Sequence, residues 1–352
     1  MISLARTSFR RIAIHTQHHP LPFTKFSTSS SSNRLRHTVA ISREIPDSFV
    51  DALSFHHDQS VAISDDDSNS HDGGGGVSLE KSRKQHSNYL NVLREHVPQL
   101  ICLPAIESHP DCLFVEDTMI AINDTVVLTR MGHESRRGEV DDLLKGVVRE
   151  KLGLTNVYDM SDLDNADISS ADDNNDDVES SNNCCDGGDV LYTGRHLFVG
   201  ITDRTNQGGF QFLKNVFAHR HNMIDEEDVI PVPMMSLQGA ATGGGVLHLK
   251  SAVTHIDEET LLIPESKFGD ILAEEMKVSE RGYTAIRLPD VLSCNAVVVN
   301  GHVMAQDSPC SVSKQRIEQA CAERNLGLTF VDTSELAKKD AALTCCSVLL
   351  SG

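Results

Sequence analysis

Two adjacent carboxylates interrupt an apolar stretch of this chain: Glu116 and Asp117 stand in CLFVEDTMI, a run that reads as a strand. Side chains alternate along a strand, so at least one of the pair must point into the interior or a cleft. An acid there is costly without a cation beside it. A guanidinium suits that need, because its planar fork of N–H donors pairs with carboxylates at two points. Asp111, just upstream in HPDCLF, adds a third acid. Far along the chain, Cys345 lies in the strand-like run LTCCSVLL, preceded by Asp340 and Thr344, and its neighbour Cys346 should face the opposite side. A cysteine among apolar residues is ordinarily inert packing, whereas a thiolate held in a cleft is a nucleophile. His248, in GGGVLHLKS, reads as a strand histidine, ordinarily structural. Facing a thiol it would be the natural proton carrier, since its ordinary pKa lies near neutrality. Asp186 opens DGGDV; such an aspartate ordinarily forms the turn, and the glycines also allow it to aim a carboxylate at an imidazole. Arg136 in HESRRGEV and Arg204 in TDRTNQGG each pass for solvated surface residues, but together they suit the α-carboxylate of an amino acid.

These residues are spread along the chain, so the fold must gather them. Folded sequence begins near TVAIS, residues 38–42, and a helix carrying Tyr89, Leu90, Leu93 and Val97 on one face stops before Pro98. Three hairpins follow: CLFVEDTMIAI to TVVLTR across Asn123-Asp124, DVLYTG to HLFVGI, and NAVVV to HVMAQ across Asn300-Gly301. Amphipathic helices fit residues 136–152, 207–218, 266–277 and 312–324. Hairpins recurring among alternating strands and helices predict an α/β fold of pseudo-symmetric modules. Polar inserts near 56–77, 159–185 and 221–245 interrupt a single domain spanning 38–352. With a net charge of −20 the chain is a poor nucleic-acid ligand, and a cationic small molecule is the more natural guest. It contains no apolar run long enough for a membrane helix, and its nine cysteines lack the spacing of a disulfide framework or a structural zinc site. The first 43 residues have no Asp or Glu and are rich in Arg and Ser. Residues 1–37 therefore read as a transit peptide for mitochondrion or plastid, the alternatives being a disordered leader and a cytoplasmic protein.

Taken in order, HSNYL, LPAIESHPDCLFVEDT, SRRGEVDDL, DGGDVLYTGRHLFVG, RTNQGG, LHLKS, CNAVVVNGHV and LTCCSVLL resemble the dimethylarginine dimethylaminohydrolase family across most of residues 38–350. The resemblance implies the pseudo-fivefold α/β propeller of the guanidino-modifying enzymes, built from ββαβ units. It also implies roles: Cys345 as nucleophile, His248 as acid and then base, and Asp186 as the group that orients His248. Asp111, Glu116, Asp117, Arg136 and Arg204 match the family's substrate-binding residues, Asp340 a position near the substrate amino group, and Leu53 a lid residue. The implied reaction releases citrulline and methylamine or dimethylamine from a methylated arginine through an S-alkylthiouronium on Cys345, with no cofactor and no required metal. Zinc could bind Cys345 and His248 and inhibit. The chain departs from the family in its longer lid region (54–77), its acidic insert (159–185), the enlarged loop before His248 and its basic leader. An arginine deiminase acting on free arginine and a non-catalytic binding protein are the alternatives. A metal-dependent ureohydrolase is disfavoured, since no Asp and His cluster has metal-bridging spacing. A monomer or a homodimer is expected.

Overall fold

Five times an antiparallel pair of strands is followed by a helix and a third strand that returns parallel to its neighbour. The computed structural model describes residues 36–53, 76–162, 183–237 and 247–351. Most of the leader, the polar stretch 54–75, the acidic tract 163–182 and the glycine-rich 238–246 lie outside the described residues.

The first unit joins the two ends of the chain. Strand β1 (Val39–Arg43) is followed by helix α1 (Leu79–His96) and strand β2 (Gln99–Leu103), which pairs parallel to β1. The next three strands, β3 (Met119–Ile122), β4 (Thr125–Leu128) and β5 (Asn156–Asp159), form the second sheet, with helix α2 (Asp142–Gly146) between β4 and β5. The third contains β6 (Val190–Tyr192), β7 (Leu197–Gly200), helix α3 (Gln207–Lys214) and β8 (Val229–Val232), followed by the single turn α4 (Met234–Leu237). The fourth contains β9 (Thr254–Asp257), β10 (Thr260–Pro264), α5 (Lys267–Glu275) and β11 (Thr284–Leu288). The fifth contains β12 (Ala296–Val299), β13 (His302–Gln306), α6 (Ser311–Glu323) and β14 (Gly327–Val331). Finally β15 (Val348–Leu350) pairs antiparallel with β1, Ile41 opposite Val348, and closes the ring. The expected ββαβ modules are therefore present, one of them split across the termini.

Local chemistry explains the elements. Asn300 and Gly301 both adopt positive φ (49° and 83°), as a two-residue hairpin that follows strand twist requires. Asp141, Asn206 and Ser266 cap α2, α3 and α5, accepting from Leu144 N (2.8 Å), Gly209 N (2.9 Å) and Gly269 N (3.2 Å). The continuous helix expected over 136–152 is broken into a 3-10 helix (Glu134–Glu139), α2 and a π turn (Val147–Lys151), because Asp141 starts a new helix and Arg136 turns inward. The irregular insert expected over 221–245 also needs correction, since its residues Val229–Val232 are β8.

Strands β3, β6, β9, β12 and β15 surround the pseudo-axis, each contributing to the wall of a cavity of about 160 Å³ (Ile120, Leu191, Thr254, Val297, Val348). Between units, Ile41, Leu103, Val126, Leu128 and Val348 pack into a shared core. Fully burying such a side chain contributes roughly 1.5–3 kcal/mol. The ring is thus held by apolar seams, and polar turns at one end of the strands are left to form a cleft.

Candidate active site

The segment entering β6 is the first fixed point. Asp186 is fully buried, and its Oδ1 accepts from Gly132 N (2.9 Å) while its own N–H donates to Thr205 Oγ1 (3.1 Å). Its Oδ2 lies 3.1 Å from His248 Nε2. Gly188 N donates to Asp117 Oδ1 (2.8 Å), and a Cβ on Gly188 would stand 2.8 Å from both Asp117 Oδ1 and His248 Nδ1. Glycine is needed here because only bare backbone fits beside the imidazole.

His248 does not sit in a strand, contrary to its alternating sequence. Leu249–Ser251 form a 3-10 turn instead, since Leu249 N donates to Asp189 Oδ1 (3.0 Å) rather than to a neighbouring strand. Burial alone would strip His248 of its proton. The charges of Asp117 and Asp189, with the hydrogen bond and charge of Asp186, outweigh burial and push its pKa up to about 9. At neutral pH the ring is an imidazolium.

Glu116 and Asp117 likewise leave the predicted strand for a 3-10 turn, Val115–Thr118, where both are buried. The turn sends them different ways. Asp117 Oδ2 accepts from Arg136 Nη1 (2.7 Å), whereas Glu116 lines the axial cavity, pairing with Lys250 Nζ (2.6 Å) and accepting from Thr344 Oγ1 (2.9 Å). The anticipated cationic partners are thus the protein's own Arg136 and Lys250. Despite burial, the His248 and Arg136 charges hold Asp117 below the usual carboxylate range, while burial raises Glu116 against the pull of Lys250.

Cys345 also sits in a 3-10 turn, Thr344–Cys346, ahead of β15; Asn295 holds this turn by accepting from Thr344 N (3.1 Å) and donating to Thr344 Oγ1 (2.9 Å). Although the strand alternation is absent, the two cysteines still part: Cys345 lines the cleft and Cys346 is buried with Sγ toward Ala342 O. Burial, with the charges of Glu116 and Asp117, raises the Cys345 pKa well above the ordinary thiol value, so the resting sulfur is neutral.

The cleft that contains Cys345 and His248 also contains Leu53, Asp111, Asp117, Arg136, Arg204 and Asp340. Asp186 stands behind His248, and Glu116 faces the axis. At about 30 Å³ this cleft is smaller than the axial cavity, so the chemistry, not the size, identifies it. Asp340 reaches it from a left-handed turn (φ 56°).

Sequence reasoning missed several members. Phe114, Leu247 and Lys339 line the cleft. Lys339 Nζ donates to Ala52 O (2.9 Å) and Asp111 Oδ1 accepts from Leu53 N (3.1 Å), so opposite charges hold the two ends of one peptide. Glu139 takes Arg136 in a two-point grip (2.9 and 2.8 Å), an i,i+3 pairing visible in RRGE only once Arg136 is known to be buried. Arg136, expected to meet a substrate carboxylate, is instead clasped by Asp117 and Glu139. Among the described residues, Asp117, Asp186 and His248 offer ligand atoms within 4.8 Å of one another. A protonated imidazole and carboxylates already accepting from Gly132, Gly188 and Arg136 suit charge compensation better than a resident metal.

Comparison with known proteins agrees with this geometry. A family described as N,N dimethylarginine dimethylhydrolase, eukaryotic, matches residues 51–224. N(G),N(G)-dimethylarginine dimethylaminohydrolases from Streptomyces coelicolor and Pseudomonas aeruginosa are 26% and 25% identical, over 78% and 76% of this chain and 86% and 88% of theirs. The fold is similar to that of the Pseudomonas aeruginosa enzyme solved with citrulline (TM-score 0.64, 22% identity, 89% of this chain and 99% of that one). It is also similar to the N-terminal domain of a cyanobacterial arginine dihydrolase (TM-score 0.61, 17% identity, 89% and 98%). The curated relatives extend over most of the ring that gathers Cys345, His248 and Asp186, and the chain is similar to the dimethylarginine dimethylaminohydrolases, a family of hydrolases.

Proposed function

We propose that this protein hydrolyses asymmetric dimethylarginine and monomethylarginine to citrulline plus dimethylamine or methylamine, with Cys345 as a covalent nucleophile. The observation that carries this reading is one cleft holding a cysteine together with an imidazolium backed by Asp186 and Asp117.

The resting thiol keeps its proton because burial and two nearby acids disfavour a thiolate. A cationic guanidinium beside Asp117 offsets those negative charges, and the thiol proton is released to solvent as substrate binds. The sulfur anion then attacks the guanidinium carbon. His248 donates its proton to the departing amine as the C–N bond breaks, leaving an S-alkylthiouronium on Cys345. The neutral imidazole next takes a proton from water, whose oxygen attacks the same carbon. Collapse breaks the C–S bond, and the proton of the added hydroxyl passes to the departing sulfur, which frees citrulline and restores the resting thiol and imidazolium. At the amino-acid end, Arg204 suits the α-carboxylate, and Asp111 and Asp340 the α-amino group.

A second reading, hydrolysis of unmethylated arginine, is supported by the fold shared with the cyanobacterial arginine dihydrolase. Both substrates use the same nucleophile and acids. Measuring citrulline side by side from asymmetric dimethylarginine, monomethylarginine and arginine decides between them: turnover of the methylated forms is expected, and turnover of arginine alone overturns the proposal.

A further inference from the structure

We propose that Asp189 is a positioning residue for this reaction, a buried carboxylate whose hydrogen bonds fix the backbone bearing His248, the backbone bearing Asp186 and the turn bearing Arg204. The inference rests on the hydrolase reading above. Asp189 is fully buried and does not border the cleft, so it acts through other groups. Its Oδ1 accepts from Leu249 N (3.0 Å), the residue after the proton carrier. Its Oδ2 accepts from the hydroxyls of Thr202 and Thr205, both at 2.7 Å. Thr205 Oγ1 accepts in turn from Asp186 N (3.1 Å), and Thr202 Oγ1 accepts from Arg204 N (3.0 Å) and Thr205 N (3.1 Å). One carboxylate therefore gathers three functional segments.

An amide of the same shape replaces it poorly. Its oxygen could still receive Leu249 N, but its NH2 would face Thr202 Oγ1, which already accepts two N–H groups, and the Thr202 and Thr205 hydroxyls would lose the oxygen to which both donate. The charge matters as well. Burial pushes Asp189 up to about 6 against the pull of the His248 charge and the two hydroxyls, so it is ionised at neutral pH and helps sustain the imidazolium. The titratable groups facing it are His248, Asp186 and the Cys185 thiol; those facing His248 are Asp117, Asp186 and Asp189.

The test compares wild type, Asp189→Asn and Thr205→Val, each checked for folding by thermal unfolding. In Asp189→Asn, kcat for citrulline formation is expected to fall on the order of 10²-fold, the scale of a slight misplacement of catalytic groups, with KM little changed. The His248 limb of the rate profile should move down by about one pH unit. Thr205→Val keeps the charge but cuts the link to Asp186, so kcat falls while the limb stays. A folded Asp189→Asn protein matching wild type in kcat and limb overturns the proposal, as does an unaltered kcat in Thr205→Val. Titration of the 15N-labelled His248 ring by NMR reads the same displacement without turnover. A wild type that makes no citrulline thus refutes the hydrolase reading alone, and the titration decides the role of Asp189.

Discussion

Replacing Arg136 with Met separates two roles for that residue. The guanidinium is 5% exposed and neutralises Asp117 and Glu139, whose side chains are 2% and 0% exposed. Removing one partner of a buried ion pair typically costs 3–5 kcal/mol, because the remaining charge has lost its counter-ion. The pH dependence follows from the two acids. Burial already pushes Glu139 up to about 7 although Arg136 opposes it. A carboxyl whose folded pKa lies above its unfolded 4.5 binds protons more tightly when folded, so its contribution is full below 4.5 and is lost as pH rises through 7. Without Arg136 that pKa climbs further and the loss continues above 7. Asp117 changes in the opposite sense: its lowered pKa stabilises the fold above the unfolded 3.8, and part of that contribution disappears with Arg136. Urea unfolding at pH 8 and pH 5 should therefore show a loss of about 3–5 kcal/mol at the higher pH and a clearly smaller one at the lower. A variant that loses less than about 1 kcal/mol at pH 8 but binds substrate far more weakly refutes this reasoning and restores Arg136 as a substrate ligand.

Further outcomes follow from the same geometry. Asp186→Asn removes the acceptor 3.1 Å from His248 Nε2. Because the His248 pKa is raised from 6.5 to about 9, its stabilisation is complete below 6.5 and fades toward 9. The variant should lose stability mainly below pH 9, shift the His248 limb of the rate profile downward and lower kcat by 10²-fold or more on the order-of-magnitude scale of triad aspartates. Lys339→Met frees the Ala52–Leu53 peptide at one end and should raise KM by roughly 3–10-fold, the worth of about one hydrogen bond, with kcat nearly unchanged in steady-state kinetics. Zinc should inhibit through Cys345 and His248, more strongly as pH rises and both ligands lose protons, and chelation by EDTA should reverse it.

Much of the fold was legible because its signals are local. Asn300-Gly301 marked a hairpin that the backbone closes with two positive φ values, and the apolar face of α1 was read from Tyr89, Leu90 and Leu93. The hairpin of β9 and β10 went unread, for its turn, Glu258-Glu259, carries no glycine or asparagine. The parallel third strands were expected from the resemblance alone, since their pairing lies across a helix, beyond the reach of any sequence window. At the site, Cys345, His248, Glu116 and Asp117 were picked out correctly as neighbours of a cleft or cation, but all four were placed in strands and all lie in or beside 3-10 turns. The reason is tertiary: Asp189 captures Leu249 N and Asn295 captures Thr344 N, overriding local β preference. That override also sends Glu116 to Lys250 rather than into the cleft.

The central claim is that Cys345 carries the substrate carbon during turnover. Acid-quenching the enzyme within milliseconds of mixing with asymmetric dimethylarginine, then mapping peptides by mass spectrometry, addresses it directly. The expected result is a transient, substrate-dependent thiouronium on the peptide containing Cys345, absent from Cys345→Ser, whose citrulline production is abolished. An adduct confined to another residue, or a Cys345→Ser protein that keeps most of its turnover, would contradict the account.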